Sequence, residues 1–262
     1  MRIIVPLRRV LDPAGVVVHR RLRRLFINRE EYIIQPADHS ALEAALRLRD
    51  AHGGEVVVVS GQPEPDDDTV RRGLATGADR AIYLTGGAFE AADEAVVARA
   101  LHSLIERLGG AQLVLAGLTT METGQTQLGV RLAELLNWPQ IVDVWSTDLV
   151  DGALRAVRRD GERLMRVEVD LPAVALVAAD ALEPRYPDGV RLIDVYRGEG
   201  DVAEALEQWE VTDHLTPEEL APAVECIGRD YPPERERGER VTGTPEEMAR
   251  TVAEALQRRM PR

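Results

Sequence analysis

The sequence contains no lysine, because all 32 of its basic residues are arginine. This excludes the P-loop, Schiff-base enzymes and the protein kinases, since each of them depends on a lysine amine. The single cysteine, Cys226, cannot form an internal disulfide and favours a reducing compartment. There is no apolar run long enough to span a membrane and no signal-peptide pattern at the N-terminus. We therefore expect a cytoplasmic protein that does not insert into membranes.

Positive charge is scarce relative to negative charge. The 262 residues carry a formal net charge of −13, with 45% hydrophobic and 29% charged residues. This composition is typical of a soluble globular protein with enough chain for a sizeable core. Since nucleic acids and anionic membranes attract positive charge, the acidic balance argues against either as a general partner.

Catalytic and metal-binding motifs are missing as well. The sequence has no G-x-S-x-G, H-E-x-x-H or C-x-x-C pattern, and its five histidines are scattered without ligand spacing. These absences point away from an enzyme that works with its own side chains. A cluster of arginines (Arg20, Arg21, Arg23 and Arg24) is either a solvated hairpin face or a patch for an anionic partner.

Strand-like and helix-like segments alternate through the first half of the chain. The predicted strands are 3–5, 55–60, 81–84 and 112–116, and the predicted helices are 38–51, 66–76, 91–108 and 125–136. Such alternation implies right-handed crossovers and a parallel sheet. We expect an α/β fold with a parallel nucleotide-binding sheet flanked by helices in three layers, similar to the Rossmann fold.

The pattern changes after Pro139. Strand-like runs at 141–144, 154–157, 165–169 and 174–177 follow without helices between them, and hairpin turns are predicted at Asp151-Gly152 and Asp160-Gly161. Residues 199–262 hold 16 acidic residues against 8 arginines and are rich in proline. We therefore expect an α/β domain over residues 1–198 with an antiparallel extension, then an extended arm and a helix at 245–259, with Thr244 as N-cap.

Ligand chemistry is expected where parallel strands end. Three strand ends qualify: Val5-Pro6, Ser60-Gly61 and the hydroxyl- and amide-rich loop from Gly117 to Gly129. That loop leads into a helix, and the free N–H groups of a helix start can bind phosphate without lysine. An ordinary capped, solvated loop is the alternative interpretation. The segment Gln35–Asp38 begins the first long helix beside the same edge of the sheet.

Several motifs together resemble the beta subunit of electron-transfer flavoprotein. The similarity runs over nearly the whole chain, and the segments that carry it are Arg2–Val10, Gln35–Asp38 followed by Ala41–Leu48, Leu74–Ala81, Leu113–Gly117 with Gln127-x-Gly129, Trp138-Pro139-Gln140, Leu171–Val174 and Glu183–Tyr186.

The resemblance implies a heterodimer that carries electrons and has no acid–base catalytic site of its own. An alpha subunit would hold the redox FAD, and this subunit would bind AMP or a second FAD. Its C-terminal arm would lie on the alpha subunit, and a dehydrogenase or quinone oxidoreductase would exchange electrons with the pair. The implied cofactor-binding residues are Pro6, Gln35, Pro36, Ala37, Asp38, Gly61, Gly117, Leu118, Thr119, Thr120, Thr123, Gly124, Gln125, Thr126, Gln127 and Leu128.

The chain also departs from the family pattern. Gln35 replaces the asparagine before proline, and the loop reads Glu122-Thr123-Gly124-Gln125-Thr126-Gln127, which fits neither the AMP-binding nor the bifurcating pattern fully. In residues 187–199, the leucine with which the family docks dehydrogenases has no clear counterpart, and the family's lysine-rich run is absent. We therefore expect a divergent member of the family, which either serves a redox partner other than the usual acyl-CoA dehydrogenases or is a divergent paralogue. An adenine-nucleotide-sensing regulatory domain of the same fold is the alternative, and an adenylating enzyme is disfavoured.

Overall fold

The computed structural model describes residues 1–61, 68–86, 92–121, 124, 127–224, 227–228, 238 and 240–259. Contacts divide the chain into two compact units, residues 1–225 and 226–262. The strands are β1 (Arg2–Pro6), β2 (Arg9–Leu11), β3 (Val16–His19), β4 (Arg24–Ile27), β5 (Tyr32–Ile34), β6 (Glu55–Gly61), β7 (Arg80–Thr85), β8 (Leu113–Gly117), β9 (Gln140–Val150), β10 (Ala153–Asp160), β11 (Arg163–Asp170), β12 (Ala173–Val177) and β13 (Leu206–Glu210). The helices are α1 (Pro36–His52), α2 (Asp68–Thr76), α3 (Glu94–Arg107), α4 (Leu128–Leu136), α5 (Gly189–Arg197), α6 (Gly200–Glu204) and α7 (Pro245–Arg259).

A nine-stranded sheet forms the centre of the first unit, in the order β11-β10-β9-β12-β8-β1-β6-β7-β13. Seven neighbouring strands of this sheet pair in parallel, in the spatial order β9-β12-β8-β1-β6-β7-β13. Strand β10 is antiparallel to both β9 and β11. The runs of buried valine and leucine in β1, β6, β8 and β12 follow from this arrangement, because parallel strands are covered on both faces. The predicted α/β fold is confirmed.

Two hydrophobic clusters lie on opposite faces of this sheet. One contains Leu42 and Leu46 of α1 and Leu74 of α2, and the other contains Leu101 of α3 and Leu132 of α4. Alternate residues of each strand supply the two faces, as the pleat requires. The sheet and its two helical layers thus form the predicted three-layer arrangement.

Local signals explain where the helices begin and end. Pro36 occupies the first turn of α1, and Gly53 ends it with a φ of 75°. The Asp93 side chain accepts hydrogen bonds from the backbone N–H groups of Ala95 and Val96, both at 3.0 Å, and so caps α3. In the second unit, Thr244 and Glu247 form the reciprocal hydrogen bonds of a capping box at the start of α7. The predicted Thr244 cap is confirmed.

Three regions have structure that the sequence analysis did not give. The arginine cluster lies in a separate two-stranded ribbon that β3 and β4 form outside the main sheet, and β5 pairs with β2. Residues 189–197 form α5, which the periodicity did not indicate. The extended conformation expected from residue 199 is wrong for 200–213, since this segment includes α6 and β13, the edge strand beside β7.

Among the described residues, no helix is both long and apolar enough to cross a membrane.

Candidate functional site

The winding of the main sheet reverses at β1. From β1 the chain moves through β6 to β7 on one side, and β8 then returns to pair with the other side of β1. In open α/β sheets, ligands bind in the crevice that such a reversal opens at the carboxyl ends of the strands. Pro6, Gly61 and Gly117 are the last residues of the three strands concerned. The structure therefore brings these three predicted residues to the edge where a ligand site is expected.

Asp38, in the first turn of α1, connects the chain segments at this edge through side-chain hydrogen bonds. Its side chain is 1% exposed, and both carboxylate oxygens are engaged. Oδ2 accepts from the backbone N–H of Arg8 at 2.9 Å and from its Nε at 2.8 Å. Oδ1 accepts from Arg8 Nη2 at 2.5 Å and from the Gly117 N–H at 3.2 Å. One buried carboxylate thus links the segments after β1, at the start of α1 and at the end of β8.

Gly117 lies so close to α1 that a side chain would not fit. A Cβ placed on it would lie 2.2 Å from Asp38 Oδ1 and 2.8 Å from the carbonyl carbon of Ala37. Because the second of these atoms belongs to the backbone, the first turn of α1 would have to retreat. Glycine at the end of β8 therefore permits the close contact between β8 and α1.

Gln35 joins the start of α1 to the loop after β8. Its side-chain Nε2 donates a 2.7 Å hydrogen bond to the Thr119 carbonyl, and its backbone N–H donates to the Arg8 carbonyl at 2.8 Å. The residue is 1% exposed, and among the described atoms its Oε1 has no hydrogen-bond partner. A buried acceptor without a donor is costly, so this oxygen fits a site that is completed by a ligand with an N–H or O–H group.

The loop between β8 and α4 is described in part. Leu118, Thr119, Thr120, Gly124 and Gln127 are among its described residues, whereas Thr123, Gln125 and Thr126 lie outside them. The Leu118 N–H donates to the Val177 carbonyl at 2.8 Å, which fixes the first residue of the loop against β12. Gly124 has a φ of 78°, a conformation that favours glycine. The predicted loop residues therefore begin at the strand end where a ligand is expected.

Two charged residues at this edge, Arg8 and Glu94, were not predicted from the sequence. The Glu94 carboxylate accepts a hydrogen bond from the N–H of Gln127, just before α4, and lies 3.8 Å from Arg8 Nη1. A carboxylate before a helix start lies where a helix favours negative charge. The signals were an arginine two residues after the strand end and an acidic pair, Asp93-Glu94, at the start of α3.

The electron transfer flavoprotein domain family matches residues 24–213, which include most of the strands and helices of the first unit. The chain belongs to the electron transfer flavoprotein family.

Its relatives in this family include beta subunits of full length. The chain is 28% identical over 259 residues to the electron transfer flavoprotein subunit beta of Thermoanaerobacterium thermosaccharolyticum, an alignment that covers 99% of each chain. It is 30% identical over 234 residues to the corresponding subunit of Methylophilus methylotrophus, with 86% of each chain covered. It is also 28% identical over 249 residues, 93% of each chain, to the caffeyl-CoA reductase-Etf complex subunit CarD of Acetobacterium woodii. The predicted resemblance to the beta subunit is confirmed.

Two concavities on this electron transfer flavoprotein beta-like chain differ in position and size. A cavity of about 80 Å³ lies at the switch-point edge and is lined by Pro6, Gly61, Glu94 and Leu128 among others. A larger one of about 480 Å³ lies over the antiparallel strands β9–β11. We place the candidate site at this edge of the sheet, because the strand ends Pro6 and Gly61 and the first residue of α4, Leu128, line the smaller cavity there. The larger cavity is an open sheet surface lined by paired charges such as Arg155 and Glu168.

Proposed function

We propose that this chain is the beta-type subunit of a cytoplasmic electron transfer flavoprotein heterodimer. It binds an adenine nucleotide at the switch-point edge and pairs with an alpha-type subunit that carries the redox FAD. The pair shuttles electrons between dehydrogenases and a respiratory or other acceptor such as a quinone oxidoreductase. The observation that carries the proposal is the junction of β1, α1 and β8 through Asp38, which builds a ligand edge from residues that the family resemblance assigns to nucleotide binding.

The described residues suit the adenylate part that AMP and FAD share. Gly117 lets the backbone of β8 approach closely, and Thr119, Thr120 and Gln127 supply donors and acceptors for ribose and phosphate. The Gln35 Oε1 accepts a hydrogen bond from an N–H or O–H group of the nucleotide. Since these features address the shared part, we propose AMP or a second FAD for this subunit.

The chain's own residues position ligands in this proposal and perform no acid–base step. Asp38 and Arg8 neutralise each other at the edge, and each is held by further hydrogen bonds. The flavins supply the redox chemistry, while this subunit fixes their distance and surroundings. We therefore propose an electron-carrier subunit and not an enzyme.

The second unit gives the proposed heterodimer a contact element. Helix α7 exposes 48% of Val252 and 58% of Leu256, which lie four residues apart and so on one face. A short helix with an uncovered apolar face gains stability by packing against a partner. We propose that residues 226–262 lie on the alpha-type subunit.

The test is to purify the full chain with the alpha-type subunit, denature the complex and quantify the released nucleotides. We expect one FAD from the alpha-type subunit and, from this chain, either one AMP or one second FAD. Gly117→Ala should remove this chain's nucleotide, while Gly189→Ala, at a site where a Cβ meets nothing within 4 Å, should retain it. A complex that releases no nucleotide attributable to this chain would refute the proposed site.

A second experiment distinguishes a carrier subunit from a nucleotide-sensing domain. The double variant Val252→Asp and Leu256→Asp changes exposed positions of α7 and leaves the first unit untouched. In a carrier subunit this variant should weaken heterodimer formation. In a sensor it would bind nucleotide as before and have no alpha-type partner to lose.

A further inference from the structure

The ribbon β3–β4 carries a concentrated set of exposed apolar side chains. Its apolar side chains are between 43% and 63% exposed at Val17, Val18, Leu22, Leu25, Phe26 and Ile27. None of the residues of the ribbon belongs to either hydrophobic cluster of the chain. An isolated two-stranded hairpin is only marginally stable, and exposed apolar patches usually mark interaction sites.

Both faces of the ribbon are apolar. Residues that pair across an antiparallel ribbon lie on the same face, and the face alternates along each strand. The pairs Val16–Ile27 and Val18–Leu25 therefore share one face, while the pair Val17–Phe26 lies on the other. A partner that covers this ribbon must contact it from two sides, as a cleft does and a flat surface does not.

The tip of the ribbon is positively charged. Arg20, Arg21, Arg23 and Arg24 follow one another around the turn with only Leu22 between them, and residues 16–27 contain no acidic residue. All four arginines are exposed. In a chain with a net charge of −13, this is a local reversal of sign that suits a partner carrying carboxylates.

The order of polarity along the ribbon distinguishes a protein partner from a lipid surface. A hairpin that enters a membrane end-on buries its tip deepest, yet here the tip carries the arginines and the apolar pairs lie nearer the body of the protein. Lying flat on a membrane would cover only one of the two apolar faces. A protein cleft with apolar walls and an acidic end satisfies both features.

We propose that the β3–β4 ribbon inserts into such a cleft on the alpha-type subunit. The proposal rests on the proposed function, because that subunit is the permanent partner it names. Permanent subunit interfaces are more apolar than transient ones, and six exposed apolar side chains on one ribbon favour permanent cover over brief encounters with redox partners.

The experiment measures binding of the full chain to the purified alpha-type subunit by analytical ultracentrifugation at several salt concentrations. The tip variant carries Arg20→Glu, Arg21→Glu and Arg24→Glu, and the face variant carries Val18→Thr and Leu25→Thr, which keep strand propensity. The control, Arg107→Glu with Arg163→Glu and Arg166→Glu, makes the same change of net charge at exposed positions of α3 and β11, outside both proposed contact elements.

We expect the tip variant to weaken binding by about tenfold or more and to reduce its salt dependence, since the lost contacts are between charges. The face variant should weaken binding by about tenfold while leaving the salt dependence unchanged, because its contacts are apolar. The control should stay within about threefold of the unmodified chain. Circular dichroism should show all variants folded, because the ribbon contributes to neither core cluster.

Other outcomes overturn the proposal. If the unmodified chain forms the heterodimer and both ribbon variants bind equally well, the ribbon is not the docking element, although the proposed function stands. If the unmodified chain forms no heterodimer, the proposed function fails and this inference fails with it. Self-association of the chain that the ribbon variants abolish would identify a second copy as the occupant. Ribbon-dependent binding to vesicles of phosphatidylserine and phosphatidylcholine would identify a lipid surface instead.

Discussion

Replacing Asp38 with asparagine should loosen the edge of the sheet where β1, α1 and β8 meet. The carboxylate accepts four hydrogen bonds, three from Arg8 and one from Gly117. An asparagine side chain offers one oxygen, so whichever way its amide turns, two of the four donors lose their acceptor and face an NH₂ group instead. Because Asp38 is 1% exposed, water cannot replace the lost partner there.

The magnitude follows from the kind of bonds that are lost. A hydrogen bond to a charged group contributes about 1.5–3 kcal/mol, and the partial exposure of Arg8 lowers this, so the total loss for Asp38→Asn is about 3 kcal/mol. For a unit of this size, about 3 kcal/mol corresponds to a fall in Tm of roughly 6–12 °C. This is a large share of the roughly 5–15 kcal/mol by which native proteins are stable.

Urea unfolding of the full chain, followed by circular dichroism, measures this loss. The control is Asp160→Asn, since Asp160 is 64% exposed and lies 4.0 Å from Arg158, so its change should cost less than about 0.5 kcal/mol. If Asp38→Asn unfolds within about 0.5 kcal/mol of the unmodified chain, Asp38 does not hold the edge together, and the reasoning on the site fails.

Three further predictions concern other parts of the first unit. Gly117→Ala should cost about 2 kcal/mol in urea unfolding, because the added methyl group pushes α1 away from β8, whereas Gly189→Ala should be neutral. Asp93→Ala removes the cap of α3 and the acceptor for the N–H groups of Ala223 and Val224, so thermal unfolding should show a loss of about 2 kcal/mol that Asp93→Asn partly restores. Burial alone would raise the pKa of Glu43, but hydrogen bonds from Arg185 and Arg47 outweigh it and hold that pKa below its usual value of 4.5. The stabilising effect of the ionised Glu43 carboxylate is therefore present above pH 4.5, and it is lost as the pH falls through the lower pKa of the folded state. The difference in unfolding free energy between the unmodified chain and Glu43→Gln should accordingly be greatest near pH 7 and shrink below about pH 4; a constant difference would refute this.

Periodicity predicted the parallel part of the sheet well, because each of its strands is a short apolar run between clear helix signals. The valine run 55–60 became β6, and the run ending at Gly117 became β8. The hairpin turn at Asp151-Gly152 also appears, between β9 and β10. In these segments local propensity and burial agree, so the sequence alone is sufficient.

The predictions failed where tertiary contacts decide the structure. The segment Leu206–Glu210 alternates weakly and lies in an acidic region, yet it forms β13 because β7 offers an unpaired edge and Arg80 Nη2 lies 2.6 Å from Glu207 Oε1. Helix α5 is held against α2 by Arg191, which donates hydrogen bonds to the carbonyl oxygens of Leu74 and Ala78. Both elements depend on contacts with segments more than a hundred residues away in the chain, so periodicity could not indicate them.

In the candidate site, too, the sequence predicted positions at strand ends but not the contacts between distant residues. The strand ends predicted from periodicity, together with the family resemblance, led to Pro6, Gly61 and Gly117, which the fold brings to one edge. The links that hold this edge, from Asp38 to Arg8 and from Gln35 to Thr119, join residues 30 and 84 positions apart. Pairings over such distances cannot be inferred from spacing, because they depend on how the strands are ordered in the sheet.

The late position of β13 in the chain has a consequence for synthesis. Its partner β7 ends at Thr85, more than a hundred residues before β13 begins at Leu206. While the chain emerges from the ribosome, β6 and β7 can pair long before β13 exists, and the N–H and C=O groups along the outer side of β7 stay available to any other strand in the meantime. A chain that stops at residue 198 would keep that side open permanently. We therefore expect such truncations to aggregate, whereas a chain that stops after residue 224 keeps β7 covered by β13.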